Sequence, residues 1–376
     1  MLKKEDYTFD KQKMSPNDLS NYARPFFDAN GFCLIQNVIP ESEIIKVKDE
    51  IVEAKEKINS NLKKYKEEYA KGKNDDELLS LPELQLRFNK HKNRPLKPVN
   101  DIYWMKKYSS FLADEHIVNF AKNILDDHLR ISQLHPKVLA EKNSFSSVTI
   151  ANDNFGLPRI KTGNENTREW HTDWPHDPWA YGGNNEDENI GCIRQPYPDI
   201  TMCLVMIWFL TDVDTKNGGT WIVPKSHKYK KTPRGANDDV SIVSPIPGEM
   251  QIEAKAGSVF IQDSRLWHSS PVNMSDKERV AVVNRWNPWW LSVDDFAPLS
   301  RFNIVCRPLS KDDFEKLPES LKPLMSHLCP DIPDRIQKPI LERSKHAVEF
   351  ASKLYSDLEK SPNDFIDKNK NLFENQ

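Results

Sequence analysis

Apolar positions change their period twice along the 376-residue chain. Over residues 41–71 they recur at Ile44, Val47, Ile51, Ile58, Leu62 and Tyr65. Steps of three, four and seven residues keep such positions on one face of an α-helix. Lysines alternate with glutamates elsewhere in that stretch, which makes a solvated face and not a phosphate-binding one. Upstream, PNDLSNYARPFFDAN reads as a short helix and GFCLIQNVI as an apolar strand. Residues 75–105 are rich in Pro and Asn and read as irregular, and the spacing predicts a further helix over 109–128. From about residue 138 the texture shifts to short β-branched and aromatic runs, SSVTIA, ITMCLVMIWFL, GTWIVP, SVFIQ and VAVVNRW, separated by turn residues. Strands without helices between them point to an antiparallel sandwich or jelly roll, not to a parallel α/β sheet. Helical patterns return after residue 307, as in KPILERSKHAVEFASKLYSDLEK, and no internal repeat is found. The expected architecture is mainly β with helical flanks: an N-terminal helical region over 1–130 packing on the barrel, a cupin-like jelly roll over 131–306, and a helical extension over 307–376.

Composition narrows the partners more than the chemistry. The formal charge of −3, from 53 basic and 56 acidic residues, provides no basic field for nucleic acid. The longest apolar run, MCLVMIWFL, is far shorter than the ~20 residues that cross a bilayer. MLKKEDYTFDKQKM lacks the apolar core of a signal peptide. Cys33, Cys192, Cys203, Cys306 and Cys329 are scattered with no CxxC pair, as in a chain kept reduced. A cytoplasmic protein acting on a small molecule, with no nucleic-acid or membrane partner, is the expectation; monomer and homodimer both stay open.

The chemistry concentrates in REWHTDWPHDPW, residues 168–179. On a strand, residues i and i+2 share a face, so His171 and Asp173 can reach one metal ion while Thr172 turns away. His268, in SVFIQDSRLWHSSP, is the best third ligand. Two imidazoles and one carboxylate leave three places open on an octahedral ion, which suits an Fe(II) that must hold a co-substrate and O2 together. A closed zinc site would call for four protein ligands, usually with cysteine, and no cysteine is suitably placed. Arg279 follows His268 by eleven residues, at the start of RVAVVNRW. A buried guanidinium needs an anion, and the far carboxylate of a metal-chelated dicarboxylate fits such a fork. The plainer reading is a strand-end ion pair of Arg279 with Asp276 or Glu278.

With these residues in place, segment 170–287 resembles the phytanoyl-CoA dioxygenase family of Fe(II)/2-oxoglutarate oxygenases. The resemblance is carried by WHTD, by WFLTDVDTKNGGTWIVPKSHK and by AGSVFIQDSRLWHSSPVNMSDKERVAVVNRW; residues 25–60 resemble the family's opening strand and helix. It implies His171, Asp173 and His268 as iron ligands, Arg279 as the 2-oxoglutarate clamp, and Trp208 and Asn152 as co-substrate contacts. It further implies O2 as the oxidant, a double-stranded β-helix as the fold, and hydroxylation of a C–H bond with release of succinate and CO2. Asp173 in particular implies hydroxylation rather than halogenation, since Ala or Gly there would leave room for a halide. Two departures stand out. Lys225 replaces the family's Gly in Pro-Gly-Ser-His, which puts that loop's conformation in question, and Ala281 supplies no hydroxyl beside the arginine. His227, in the same loop, reads as a structural residue fixing a turn.

The substrate side is read from aromatic and charged residues around this core: Trp174, His176, Asp177, Trp179, Tyr181 and Arg194 in a long loop, and Trp286, Trp289 and Trp290 after the arginine strand. They suit a small polar or amphipathic molecule and show no slot for a long acyl chain. Two rivals stand beside this reading: a cupin-like metal isomerase or hydrolase without 2-oxoglutarate, and a non-catalytic binding protein.

Overall fold

Ser15 starts the first helix, α1 (Pro16–Asn30), by accepting a hydrogen bond from the Asp18 amide, with Pro16 in its first turn. Gly31 ends it at φ +85°, the left-handed cap that glycine adopts without strain. A Cβ at Gly31 would also stand 2.5 Å from Nδ1 of His227, so the position is closed to any side chain. The computed structural model describes residues 2–72, 88–89, 97–98, 105–139, 144–145, 168, 170–173, 175–176, 193–233, 244–291, 311–329, 345–353 and 356.

The main sheet has six strands. In chain order they are β1 (Thr8–Asp10), β2 (Phe32–Gln36), β3 (Leu129–Leu139), β4 (Leu204–Phe209), β7 (Val259–Asp263) and β9 (Arg279–Pro288). In space they run β1-β2-β7-β4-β9-β3, antiparallel except for β1 with β2. A smaller sheet holds β5 (Trp221–Ile222), β6 (Met250–Gln251) and β8 (His268–Ser269) in the order β8-β5-β6, and His171 bridges to its edge at His268. From β3 onward the chain crosses repeatedly between the two sheets, which is the winding of a jelly roll.

Alternation along each strand gives the main sheet two cores. Val259, Trp208 and Val282 stand opposite one another on one face. There they pack with Leu19, Phe27, Val47, Ile51, Tyr108, Ile117 and Phe120 from the helices α1, α2 (Glu41–Ala70), α3 (Lys106–Leu112) and α4 (Glu115–Ile124). Phe260, Ile207, Phe209 and Ala281 face inward and pack with Ile222 of the smaller sheet and Ile252 just after it. At ~25 cal/mol per Å2, a buried tryptophan such as Trp208 contributes several kcal/mol to holding the helices on the sheet.

The structure departs from the sequence reading in several places. The single helix expected over 109–128 is two, because the Asp114 carboxylate accepts the His116 amide and starts a new helix there. Strand β3 carries polar residues and Pro136 and gave no alternating signal; it lies at the sheet edge, where a proline is tolerated. Strand β2 falls within the GFCLIQNVI run, whereas β1 has no counterpart in the sequence reading; both pair into the main sheet. In α2, Val47, Ile51 and Ala54 are buried, while the side chains of Ile58, Leu62 and Tyr65 lie outside the described residues, as does SSVTIA. After residue 307 the described elements are α5 (Lys311–Glu315), α6 (Lys322–Met325), a 3-10 turn (Ser326–Leu328) and a helical stretch at 345–353.

Candidate metal centre

His171 and His268 are drawn together by main-chain pairing. Each amide donates to the other's carbonyl, at 2.9 and 3.0 Å, and the two rings lie 4.1 Å apart. Asp173 follows on the same face, its amide held by the Ser264 carbonyl at 2.7 Å. Thr172 turns away, as the alternation requires, and donates to the His176 carbonyl at 2.8 Å. One donor atom from each of His171, Asp173 and His268 lies within 4.8 Å of the others. Donors on adjacent places of one octahedral ion, at bonds of about 2.1 Å, stand about 3 Å apart, so side-chain rotations that close a gap of up to about 2 Å gather them. The Leu266 carbonyl lies 2.9 Å from Nδ1 of His268. It takes the proton of that nitrogen and leaves the Nε2 lone pair for a metal. The donor set, two imidazoles and a carboxylate, fits a ferrous ion.

Electrostatics favour the same role. Burial would raise the Asp173 carboxyl, but the Arg285 guanidinium and then His268 outweigh it and hold the group well below the usual carboxylate range. Asp173 is therefore a carboxylate across the working pH range, as a metal ligand must be. Arg279 stands further along the inner face of β9. One Nη donates to the carbonyl of Gly218, which the Asn217-Gly218 turn presents, and Nε has no partner. No described carboxylate pairs with Arg279, neither Asp276 nor Glu278, and burial alone pushes its pKa down to about 10. It stays charged at neutral pH, buried, and short of an anion.

A family model described as phytanoyl-CoA dioxygenase (PhyH) matches residues 27–281, more than half of the chain, and spans the three gathered side chains and Arg279. The chain belongs to the phytanoyl-CoA dioxygenase family. Among curated proteins, dioxygenase af480 of Aspergillus fumigatus is 28% identical over 142 residues, which cover 38% of this chain and 41% of that relative. The matched stretch thus spans less than half of the relative's own length. Two solved structures overlap more broadly but loosely. HygX from Streptomyces hygroscopicus, with nickel and 2-oxoglutarate bound, is 12% identical, with 72% of this chain and 86% of HygX covered and a TM-score of 0.38. EctD from S. alaskensis, with 2-oxoglutarate and 5-hydroxyectoine, is 14% identical, with 70% and 74% covered and a TM-score of 0.40. Likenesses this loose add no weight to the site.

The other expected site residues fare differently. Trp208 and Trp286 are fully buried on the helix side of the main sheet, with Tyr108 edge-on to Trp208 at 5.6 Å. Strand alternation directs both away from the metal site: Trp286 follows the inward-facing Arg285, and Trp208 lies between the inward-facing Ile207 and Phe209. In place of a co-substrate or substrate contact, each is a core tryptophan. His176 is wholly buried behind the triad, its Nδ1 3.0 Å from the Ser264 hydroxyl and its ring edge-on to Tyr197, and burial pushes its pKa down to about 4. Arg194 is exposed, Trp289 is half-buried and Trp290 is 49% exposed. Asn152, Trp174, Asp177, Trp179 and Tyr181 lie outside the described residues. His227 packs its ring on Gly31, with Nε2 3.2 Å from the Asp28 carbonyl, a structural placement.

The sequence reading passed over three features. Arg285 reaches Asp173 directly; its even spacing from Arg279 in RVAVVNRW was the available signal. The turn 263–266 is a hub: Ser264 and Leu266 hold Asp173 and His268, and Asp263 anchors the turn. The buried Asp263 carboxylate accepts from the Arg265 amide at 2.8 Å, from its guanidinium at 2.8 and 3.0 Å, and from Thr201 at 2.6 Å. Nothing in QDSRLWH distinguishes such a staple from a surface turn. Gln262, paired through Val205 with Arg285, is fully buried on the inner face with both amide atoms lacking a partner.

Proposed function

We propose that this chain is an Fe(II)- and 2-oxoglutarate-dependent dioxygenase that hydroxylates a C–H bond of a small polar or amphipathic metabolite, releasing succinate and CO2. The observation that carries the reading is Arg279, a buried guanidinium with no described carboxylate partner, on the inward face of the strand whose Arg285 touches the triad. A cation so placed is destabilising unless an anion joins it. A metal isomerase or hydrolase working with the same three ligands would have no use for it.

His171, Asp173 and His268 would hold the ferrous ion, which when bound would activate O2 at the expense of the oxo acid. His268 serves as a neutral donor because Leu266 fixes its tautomer. Asp173 supplies the one negative charge that keeps the cation in place. Arg279 would grip the far carboxylate of 2-oxoglutarate and orient its oxo-acid end towards the metal, a bidentate recognition that lysine does not match.

The test is anaerobic titration of the protein with Fe(II) and then 2-oxoglutarate. The wild type should develop the visible charge-transfer band of a chelated oxo acid, and on admitting air and substrate candidates it should release succinate. Asp173→Ala should show neither band nor succinate. Succinate formation persisting in that variant would refute the assignment.

A further inference from the structure

The two oxygens of Asp173 have different partners. Oδ2 lies 3.2 Å from Nε2 of His268, a neighbour in the metal-binding cluster. Oδ1 accepts Nη2 of Arg285. Arg285 sits on the inner face of β9 opposite Val205, with its side chain 16% exposed. Six residues separate it from Arg279, an even number, so both point inward, roughly 20 Å apart along the strand at 3.4 Å per residue. The family match ends at residue 281, short of Arg285. One arginine on this face therefore lacks an anion while the other is already committed to Asp173.

We propose that Arg285 is a positioning residue that holds Asp173 to coordination through one oxygen, and so keeps open the third free place on the ion. This rests on the function proposed above. A carboxylate can bind a metal through one oxygen or both. Two imidazoles and one carboxylate oxygen leave three places on an octahedral ion, two for the chelating oxo acid and one for O2. If Asp173 swung to bind through both oxygens, one of those places would be lost. Two restraints oppose that swing: the Ser264 carbonyl fixes the Asp173 amide at 2.7 Å, and the guanidinium occupies Oδ1. A charge-assisted bond of this kind is roughly twice as strong as a neutral one, enough to bias the carboxylate without displacing it from the metal.

Cobalt(II), whose visible absorption reports coordination number, is the probe, with the full chain as wild type, Arg285→Met and Arg285→Lys, each checked for folding by its melting curve. Arg285→Met should bind cobalt about as tightly as wild type but with an altered spectrum before 2-oxoglutarate is added. The oxo acid, which takes two places, should still bind, but no place is then left for O2, and succinate release by the Fe(II) form should fall at least about tenfold, the range set by partners that orient metal ligands. Arg285→Lys, which keeps a charged donor, should recover most of both properties. If Arg285→Met does not fold, Arg285→Gln is read in the same way. A wild-type spectrum and rate of succinate release in the Met variant overturn the proposal. So does loss of cobalt binding in a folded Met variant, or a Lys variant no better than Met, because either makes Arg285 a general scaffold residue. A wild type that binds neither cobalt nor 2-oxoglutarate sinks the oxygenase reading itself, whereas a normal wild type beside an indifferent Met variant sinks only this inference.

Discussion

Strand β9 exposes one run of residues, RVAVVNRW, to two different environments. On the helix side Val280, Val282, Asn284 and Trp286 are completely buried. Their polar atoms are matched within the chain: Asn284 donates to the Tyr108 hydroxyl and accepts from the Trp286 indole, both at 2.8 Å. The barrel side carries Arg279, Ala281, Val283 and Arg285, with Gln262 two strands away. There Arg279 Nε and the Gln262 amide have no partners. Buried polar groups left unmatched cost stability; on the helix side the Trp208 indole N–H is one such atom, whereas the barrel side gathers a charged group and a whole amide. Stability is built on one face of the sheet, and the capacity to bind is kept on the other.

The sharpest way to break that division is to cut each face once. Trp208→Ala should cost about 3–5 kcal/mol in chemical denaturation, the range for removing a large core aromatic, even though its indole N–H has no partner. The fraction that still folds should bind 2-oxoglutarate normally. Arg279→Met should behave in the opposite way: stability unchanged or higher by ~1 kcal/mol, because an uncompensated buried charge is removed, with 2-oxoglutarate binding lost. A loss of several kcal/mol in Arg279→Met would mean that the guanidinium has a structural partner and that the two faces are not divided as described.

That division also explains what could be read from the sequence. Strand composition and turn spacing identified β4, β7 and β9, and eleven residues between His268 and Arg279 marked the arginine, because both signals are local. Trp208 and Trp286 were misplaced, although β-strand parity against Phe209 and Arg279 would have put both on the outer face; an aromatic near a site was read as part of it. His176 was read as substrate-facing for the same reason. The hub at 263–266 was invisible, since its partners Cys203, Asp173 and Gly31 come from three distant segments that only the fold brings together. Arg285 lay between these cases, with its parity legible and its partner not.

His176 offers a smaller test, from behind the triad. Its pKa near 4 in the fold lies below the unfolded value of about 6.5, so the folded state prefers the neutral ring. Its contribution is complete above the unfolded value and disappears as pH falls from there towards 4. By linkage this amounts to roughly 1.5 kcal/mol between pH 6.5 and 5. Denaturant midpoints at those two pH values should separate further for wild type than for His176→Gln. Equal separations would show that the ring is solvated, and that His176 belongs to the binding side after all.

The smallest effect is expected where the smaller sheet meets α1. Lys225 adopts φ 70° and ψ −5°, a left-handed geometry that favours glycine, while its amide donates to the Asn30 carbonyl at 2.9 Å. The lysine takes up the strain of that geometry, about 1–2 kcal/mol for a residue with a Cβ. Glycine relieves that strain but gives the unfolded chain more freedom, a loss of roughly 0.5–1 kcal/mol. Lys225→Gly should therefore stabilise by about 0.5–1 kcal/mol, the difference between the two effects. Because the Lys225 side chain is exposed, 2-oxoglutarate affinity should not change. A gain in stability accompanied by altered affinity would show that this loop sets the geometry of the barrel interior, and that stability and binding are coupled through the smaller sheet.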